Sequence, residues 1–437
     1  MNKREFLAMG GALPLMLAGC GGSSSGSAPV RLVNASVGYP ALGFMVESTQ
    51  ATTADVAYGA TSPYENVESG AVGVTLTVGG ASATSASTRT INKDSRYSLV
   101  AFGFINELKS VLITESTITP DTGKANVNVL NTSVDIGAVD VYLSASKDLS
   151  VSTLIASNTT GVSQSAFSGV LAGSYYVTVV GANSIAKGVS DIRFQTPTAI
   201  VLSALQVLTI ILTPGASGVL ANAILLTQGT TGTAVSYLNS TARVRAVSAI
   251  SGSAVAVTGA SSTSSTVNVL PSSSTPQYSN YFVVNTGAPP VVTVGGVTIP
   301  TTQTLAAGGD YTLMVYLDGS GNPITNLIED NNTAPATSSG VKFRLINLAS
   351  NNQGLSLSMS INSINVASAV AYGTASSYTE ISTPQTTNSV AEVFNGADSL
   401  ITHTQVLTLP NIFTEIIVSV DPSTGVVKDF FRAATGT

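Results

Sequence analysis

The 437-residue sequence has no tryptophan, one cysteine (Cys20), one histidine (His403) and only 9% charged residues. Each scarcity removes a class of reading. One cysteine cannot build a disulfide framework within the chain. One histidine with no other thiol cannot make a typical zinc site, and it ties any Ser-His-Asp triad to His403. No G-x-S-x-G elbow accompanies it, and "SLITHTQVLTL" around it reads as a strand. A formal charge of −6 with no basic cluster excludes a phosphate-tracking surface, so nucleic acid is not an expected partner. Charged residues are far below the typical content of about 25%, so the polar surface falls to Ser, Thr, Asn and Gly. Few Glu, Lys and Arg leave little for solvent-exposed helices, whereas Val, Thr and Ile favour strands. With 44% hydrophobic residues the chain builds cores. It is an all-β composition and not a disordered one. Its length exceeds one ordinary core and suggests about three to four domains.

The N-terminus "MNKREFLAMGGALPLMLAGCGGSSSGSA" reads as an export leader. Lys3 and Arg4 form a basic start, and Phe6 to Ala18 form an apolar run too short to span a bilayer. "LAGC" resembles the lipobox of bacterial lipoproteins. The resemblance implies a signal peptide over residues 1–19 and lipidation of Cys20, which becomes the first residue of the mature chain. Gly21 after it resembles an outer-membrane sorting signal, so the expected location is the bacterial cell envelope, at the outer membrane. "KREFL" also resembles a twin-arginine export signal; an ordinary Sec leader is the preferred reading. Residues 20–28 then form a Gly/Ser tether.

Four segments begin alike: "VRLVNAS" at Val30, "VNVLNTS" at Val127, "VRAVSAIS" at Val244 and "FRLINLAS" at Phe343. Each alternates as a half-buried strand does and ends in small turn formers. Later in each unit a β-hairpin pattern recurs, starting at Arg96, Gln206, Asp310 and Phe413. Polar stretches at 116–124, 230–241 and 329–340 read as linkers. The expected architecture is four tandem immunoglobulin-like β-sandwiches over residues 29–119, 120–228, 240–333 and 340–437, each of about seven strands. The apolar run Ala199 to Leu212 is too short for a membrane helix and ends at Pro214 and Gly215.

"VRLVNAS" followed by "VAYGATSPY", and "FRLINLAS" followed by "VAYGTASSY", resemble the bacterial domain-of-unknown-function family 4397. In the second unit "SQSAF" (Ser163 to Phe167) stands for S-x-Y. The third unit keeps "ARVRAVSA" and "AGGDYTLMVY" but lacks the V-A-Y-G turn. The resemblance implies exported, often lipid-anchored, tandem β-sandwich-like domains, and it carries over no catalytic residue. The repeated V-A-Y-G reads as scaffold. Gly59 and Gly373 allow a positive φ, Ser62 and Ser376 bond nearby backbone, and Tyr58, Tyr64, Tyr372 and Tyr378 give aromatic bodies to the core.

Candidates for chemistry are few. Asp318, Ser320, Asn322 and Glu329 have an EF-hand-like spacing, yet Pro323 stands where that loop needs Gly, and a hairpin turn explains the stretch better. Glu329 with Asp330, and Glu65 with Glu68, do not form an obvious acid/base pair on a strand. No cofactor is implied. The functional expectation is a lipid-anchored, non-enzymatic binding, adhesion or scaffold protein of the envelope, with a glycan or protein as ligand and the membrane engaged through Cys20. The alternatives are a carboxylate-dependent hydrolase and a ligand-free periplasmic spacer. Stacked end to end, four sandwiches would make an arm on the order of 100 Å long.

Overall fold

The computed structural model describes residues 26–182, 192–215, 219–229, 233–258, 266–337, 339–349, 355–407, 411–420 and 427–433. They form an all-β molecule of tandem two-sheet sandwiches, with one 3-10 turn at Leu149–Val151. Each repeated opening segment is a strand that runs parallel to the first strand of the hairpin of its own unit. Ser27–Ala35 lies beside Tyr97–Phe102, and Lys124–Asn131 beside Val207–Pro214. Thr241–Ser248 lies beside Asp310–Leu317, and Val341–Asn347 beside Asn411–Val420. The second hairpin strand pairs antiparallel on the far side in every unit: Lys109–Thr114, Ala221–Thr227, Pro323–Asp330 and Val427–Ala433. The register is the same four times, with Arg31 opposite Ser98, Asn128 opposite Thr209, Arg245 opposite Thr312 and Arg344 opposite Thr414. A second sheet covers one face of each of these inner sheets. It is built on Ala41–Val46 and Gly70–Val78 in the first sandwich and on Leu357–Ile361 and Ser389–Asn395 in the last. Alternate inner-strand residues fill the core between the two sheets, such as Val30, Leu32 and Leu99 in the first and Phe343, Leu345 and Ile417 in the last.

The other face of the inner sheets is also buried. In the strand Val207–Pro214, Leu208, Ile210 and Leu212 face their own core. Ile211 instead joins a cluster with Val33, Ala35, Val100 and Phe102 of the first sandwich. The same holds further on, where Val247, Ala249 and Met314 of the third sandwich pack on Ile346, Leu348, Ile416 and Val418 of the fourth. The sandwiches therefore associate inner sheet to inner sheet, first with second and third with fourth. This corrects two expectations. The opening segments are not half-buried strands but are covered on both faces, as are the first hairpin strands beside them, which is why a hairpin stretch such as "VLTIIL" reads as a nearly continuous apolar run. Nor do the four units stack end to end, because burying the second apolar face demands a side-by-side partner.

Two local expectations also change. The polar stretch 230–241 is not simply a linker. Ala234–Tyr237 adds an edge strand to the inner sheet of the second sandwich, and Thr241 already opens the third. Its polar composition reflects an edge that stays largely accessible. The run from Ala199 to Leu212 divides into Ile200–Leu202, which pairs with Gly173–Gly181, and Val207–Pro214 in the opposite sheet. Among the described residues no helix is long and apolar enough to cross a membrane.

Candidate functional site

The seam faces carry the chemically distinctive side chains. On each opening strand the residue after the first Val or Phe points into the seam, and in three of four repeats it is Arg. Arg31 is fully buried, and an unpaired guanidinium there would cost several kcal/mol. It is paired: Nη2 lies 2.9 Å from Glu115 Oε1, and Nε donates to Ser98 Oγ at 2.9 Å. Nη2 also donates to the carbonyl of Thr227 in the second sandwich at 2.9 Å. Tyr64 covers the guanidinium, with its ring centroid 4.8 Å from Cζ, and its hydroxyl donates to Glu115 Oε1 at 2.6 Å. Burial, reinforced by that bond to Glu115, pushes the Tyr64 phenol well above its ordinary pKa.

The seam between the third and fourth sandwiches repeats this plan with more charge. Asp330, buried at the end of its strand, accepts from Arg344 Nη1 at 2.6 Å on Oδ1. On Oδ2 it accepts from Thr312 Oγ1 and the Tyr281 hydroxyl, both at 2.6 Å, with Arg245 Nε 3.4 Å away. Arg245 donates to Thr312 Oγ1 (2.7 Å), to the Tyr278 hydroxyl (3.0 Å) and across the seam to Thr414 Oγ1 (3.3 Å). Arg243 holds Asp310 through two parallel bonds of 2.8 and 2.5 Å. Burial drives the Tyr281 phenol far above its usual range, and Tyr378 also rises through burial. At the first seam Arg31 pairs with Glu115, and a second guanidinium, Arg96, lies 5.4 Å from the centre of the Tyr64 ring. The second sets three arginines (Arg243, Arg245, Arg344) against two aspartates (Asp310, Asp330), an excess of one positive charge. In the second sandwich the equivalent places hold the neutral Asn128, Thr209 and Gln228, of which Gln228 Nε2 donates to Thr209 Oγ1 at 2.9 Å.

This plan gives the repeated V-A-Y-G…S-x-Y segments their structural role. Gly59 and Gly373 take φ of +77° and +72°. A Cβ on Gly373 would fall 2.6 Å from the Tyr316 ring of the neighbouring sandwich. Ser62 and Ser376 accept from the backbone N–H of Leu32 and Leu345, at 2.9 and 3.1 Å. The first tyrosine of each copy reaches the adjacent sandwich and not its own core: Tyr58 bonds Thr213 Oγ1, and Tyr372 donates to the Leu317 carbonyl, both at 2.8 Å. The second tyrosine, Tyr64 or Tyr378, stacks on the seam arginine. The third unit has this device too. Ser279 accepts from Ala246 N–H at 2.8 Å, and Tyr281 lies over Arg243 and Arg245 at 4.4 and 5.0 Å. The S-x-Y at Ser279-Asn280-Tyr281 is therefore a site the sequence reading missed, because no V-A-Y-G precedes it.

Above the second seam lies a recess of about 520 Å³, lined by Glu329, Asp330, Asn331 and Thr333 from one side and Arg344, Ser376, Ser377 and Tyr378 from the other. Arg344 lies in its wall. Nη1 holds Asp330, Nε donates to the Ser376 carbonyl at 3.2 Å, and Nη2 makes no hydrogen bond among the described residues. Lys342 is adjacent, its Nζ 2.8 Å from the Thr333 carbonyl. Glu329 is exposed, while its neighbour Asp330 is buried in ion pairs, so these carboxylates face different surroundings and do not form an acid/base pair.

Of the other sequence candidates, Cys20 and the leader lie outside the described residues. Asp318, Ser320 and Asn322 form the hairpin turn, where Asp318 Oδ1 accepts from the N–H groups of Ser320 and Asn322, both at 2.8 Å. Glu329 sits near the far end of the strand Pro323–Asp330, about 20 Å along it, so the four are not brought together. His403 does have partners. Its Nε2 lies 2.8 Å from Asp429 Oδ2 and 3.8 Å from Glu415 Oε2. Burial first, and Asp429 second, raise the Glu415 carboxyl well above the ordinary carboxylate range.

The segment from Ala28 to Tyr142 spans the first sandwich and the opening two strands of the second. It matches DUF4397, a domain of unknown function. The match, residues 28–142, contains the Arg31–Glu115 pair and the Ser62 and Tyr64 positions. The second-seam residues Arg243, Arg245, Asp310, Asp330 and Arg344 lie outside that match. No curated protein matches the chain. Two solved structures are similar to parts of it. One is a candidate cell adhesion protein from Bacteroides uniformis ATCC 8492, at 10% identity over 47% of this chain and 99% of that one, with a TM-score of 0.18. The other is the TIE protein of Bacillus anthracis, at 9% identity over 86% of this chain and 65% of that one, with a TM-score of 0.15. Both scores are too low to argue a shared fold.

Proposed function

We propose that this protein is a lipid-anchored, non-enzymatic binding module of the bacterial cell envelope, and that the recess at the second seam takes an acidic saccharide. The observation that carries the reading is Arg344. It stands in the wall of a cavity, its Nη2 without a hydrogen bond among the described residues, beside the buried cluster of Arg243, Arg245, Asp310 and Asp330. A carboxylate-bearing sugar suits that chemistry. Its acid group would meet Arg344, and its hydroxyls would meet Ser377, Thr333, Asn331 and the Tyr378 ring and hydroxyl. The four-unit division at 29–119, 120–228, 240–333 and 340–437 belongs to the same proposal, as does export to the outer membrane. A hydrolase reading has less support, because the buried carboxylate at the recess, Asp330, is committed to Arg245, Arg344, Thr312 and Tyr281.

Calorimetric titration with oligogalacturonate and with its neutral oligogalactose counterpart tests the ligand. The acidic oligomer is expected to bind, more weakly as salt rises, and the neutral one to bind at least about tenfold less tightly. Arg344→Lys, which keeps a cation for Asp330 but loses the planar fork, should weaken acidic binding by a similar factor. Equal binding of the two oligomers would defeat the proposal. The anchor has its own test: Cys20→Ala should abolish lipid labelling and release the protein from the membrane fraction, and a variant that stays membrane-bound would refute it.

A further inference from the structure

The fourth sandwich departs from the other three at one place. On the first hairpin strand, Glu415 occupies the register position held by Leu99, Ile210 and Leu313 in the earlier units. Those residues lie in the cores of their sandwiches, and Glu415 is likewise flanked on its face by the core residues Phe413 and Ile417. It is fully buried, and among the described residues neither carboxylate oxygen meets a hydrogen-bond donor, its nearest polar neighbours being His403 and the Asp429 carboxylate. A carboxylate placed so in an apolar core is destabilising unless something compensates it. Two further departures converge on it. Asp429, on the second hairpin strand, stands opposite Ile417, where the other units have Ser110, Ala223 and Thr325 opposite the equivalent residues. His403, the only histidine of the chain, comes from Asp398–Gln405, an edge strand of the facing sheet.

We infer that His403, Glu415 and Asp429 form a divalent metal site, with Zn²⁺ the best-matched ion. The three ligand atoms all lie within 4.8 Å of one another. Tetrahedral Zn²⁺ with ligand bonds near 2.0 Å needs ligand-to-ligand separations of about 3.3 Å. The observed 2.8 Å (His403–Asp429) and 3.8 Å (His403–Glu415) bracket that value. Two carboxylates and a neutral imidazole cancel the charge of the ion, which supplies the compensation that Glu415 lacks. One imidazole nitrogen favours Zn²⁺ over Mg²⁺ and Ca²⁺, which prefer oxygen alone. His403 and Asp429 are 22% and 15% exposed at the sandwich edge, which gives the ion an entry path and leaves a position for water. A metal here would clasp the two sheets of the fourth sandwich at their open edge.

The test uses the full chain, stripped with a chelator and titrated with Zn²⁺, with Ca²⁺ and Mg²⁺ as comparisons. One Zn²⁺ per chain should bind, and Tm should rise by at least about 4 °C when Zn²⁺ is a hundredfold above its dissociation constant. His403→Ala should weaken binding at least about tenfold. Glu415→Leu, which restores the residue type of the other units, should fold with a higher metal-free Tm and lose the Zn²⁺ response. Because Cys20 is present in every variant, a contribution from its thiol cancels. An unchanged wild-type Tm in Zn²⁺, or Zn²⁺ binding by His403→Ala or Glu415→Leu as tight as by wild type, would overturn the site.

Discussion

Replacing Asp330 by alanine should destabilise the third and fourth sandwiches by about 3–5 kcal/mol, the usual cost of removing one partner from a buried ion pair. The carboxylate satisfies Arg344 on one oxygen and Thr312 and Tyr281 on the other, with Arg245 close by. Without it the seam keeps three arginines and a single remaining anion, Asp310. Asp330→Asn retains an acceptor and should cost less than alanine. The first seam offers the converse experiment. Arg31→Met or Glu115→Met alone should be strongly destabilising, whereas the double substitution should be far milder than their sum, because it leaves no orphaned charge. Denaturant titration of the full chain measures all of these. Equal, additive losses in the first seam would mean that the ion pair is not the unit that matters.

The second large effect concerns the seam itself. Limited proteolysis of the wild-type chain should release two resistant fragments of about 200 residues, each a pair of sandwiches, and not four of about 100. Ile211→Asp should change that pattern for the first pair. Ile211 packs only in the shared cluster with Val33, Val100 and Phe102, while Ile210 and Leu212 on either side serve the core of the second sandwich. A charge at Ile211 would therefore be buried unpaired in the seam, at a cost of several kcal/mol, yet leave each core composed as before. Fragments of about 100 residues should then appear from the N-terminal half. Four equal fragments from the wild type would dissolve the pairing and return the molecule to independent units.

The all-β class and the repeat register were legible in the sequence because both rest on local signals. Alternation, turn residues and the recurring V-R-x-V and hairpin patterns mark the strands, and the structure pairs those two patterns directly. The seam was not legible. Val33, Ile211 and Ile416 are apolar in the same way as the core residues beside them, and nothing in a single strand says which of two partners a face will meet. The V-A-Y-G tyrosines were read as core-bound for the same reason, since a hydroxyl that reaches Thr213 or Leu317 is indistinguishable locally from one that reaches its own sheet edge. His403 reads in the sequence as a lone strand histidine with no nucleophile elbow and no thiol beside it, and its partners Glu415 and Asp429 come from strands of the facing sheet, which no local pattern reveals. Yet a trace was present: aligned by hairpin, the fourth repeat alone puts a carboxylate where the others put Leu or Ile.

The parallel pairing inside each sandwich also dictates the order of assembly. Arg31 meets Ser98 and Arg245 meets Thr312, each across 67 residues of chain. An inner sheet therefore cannot close until nearly its whole unit is available. Arg31 reaches the Thr227 carbonyl only across 196 residues of chain. Such non-local contacts fold slowly. During that interval each finished first or third sandwich exposes an apolar sheet face bearing a buried-type ion pair, and its sequence successor is the surface that covers it. Growth of the chain by one unit leaves a sticky intermediate, and growth by two leaves a closed one.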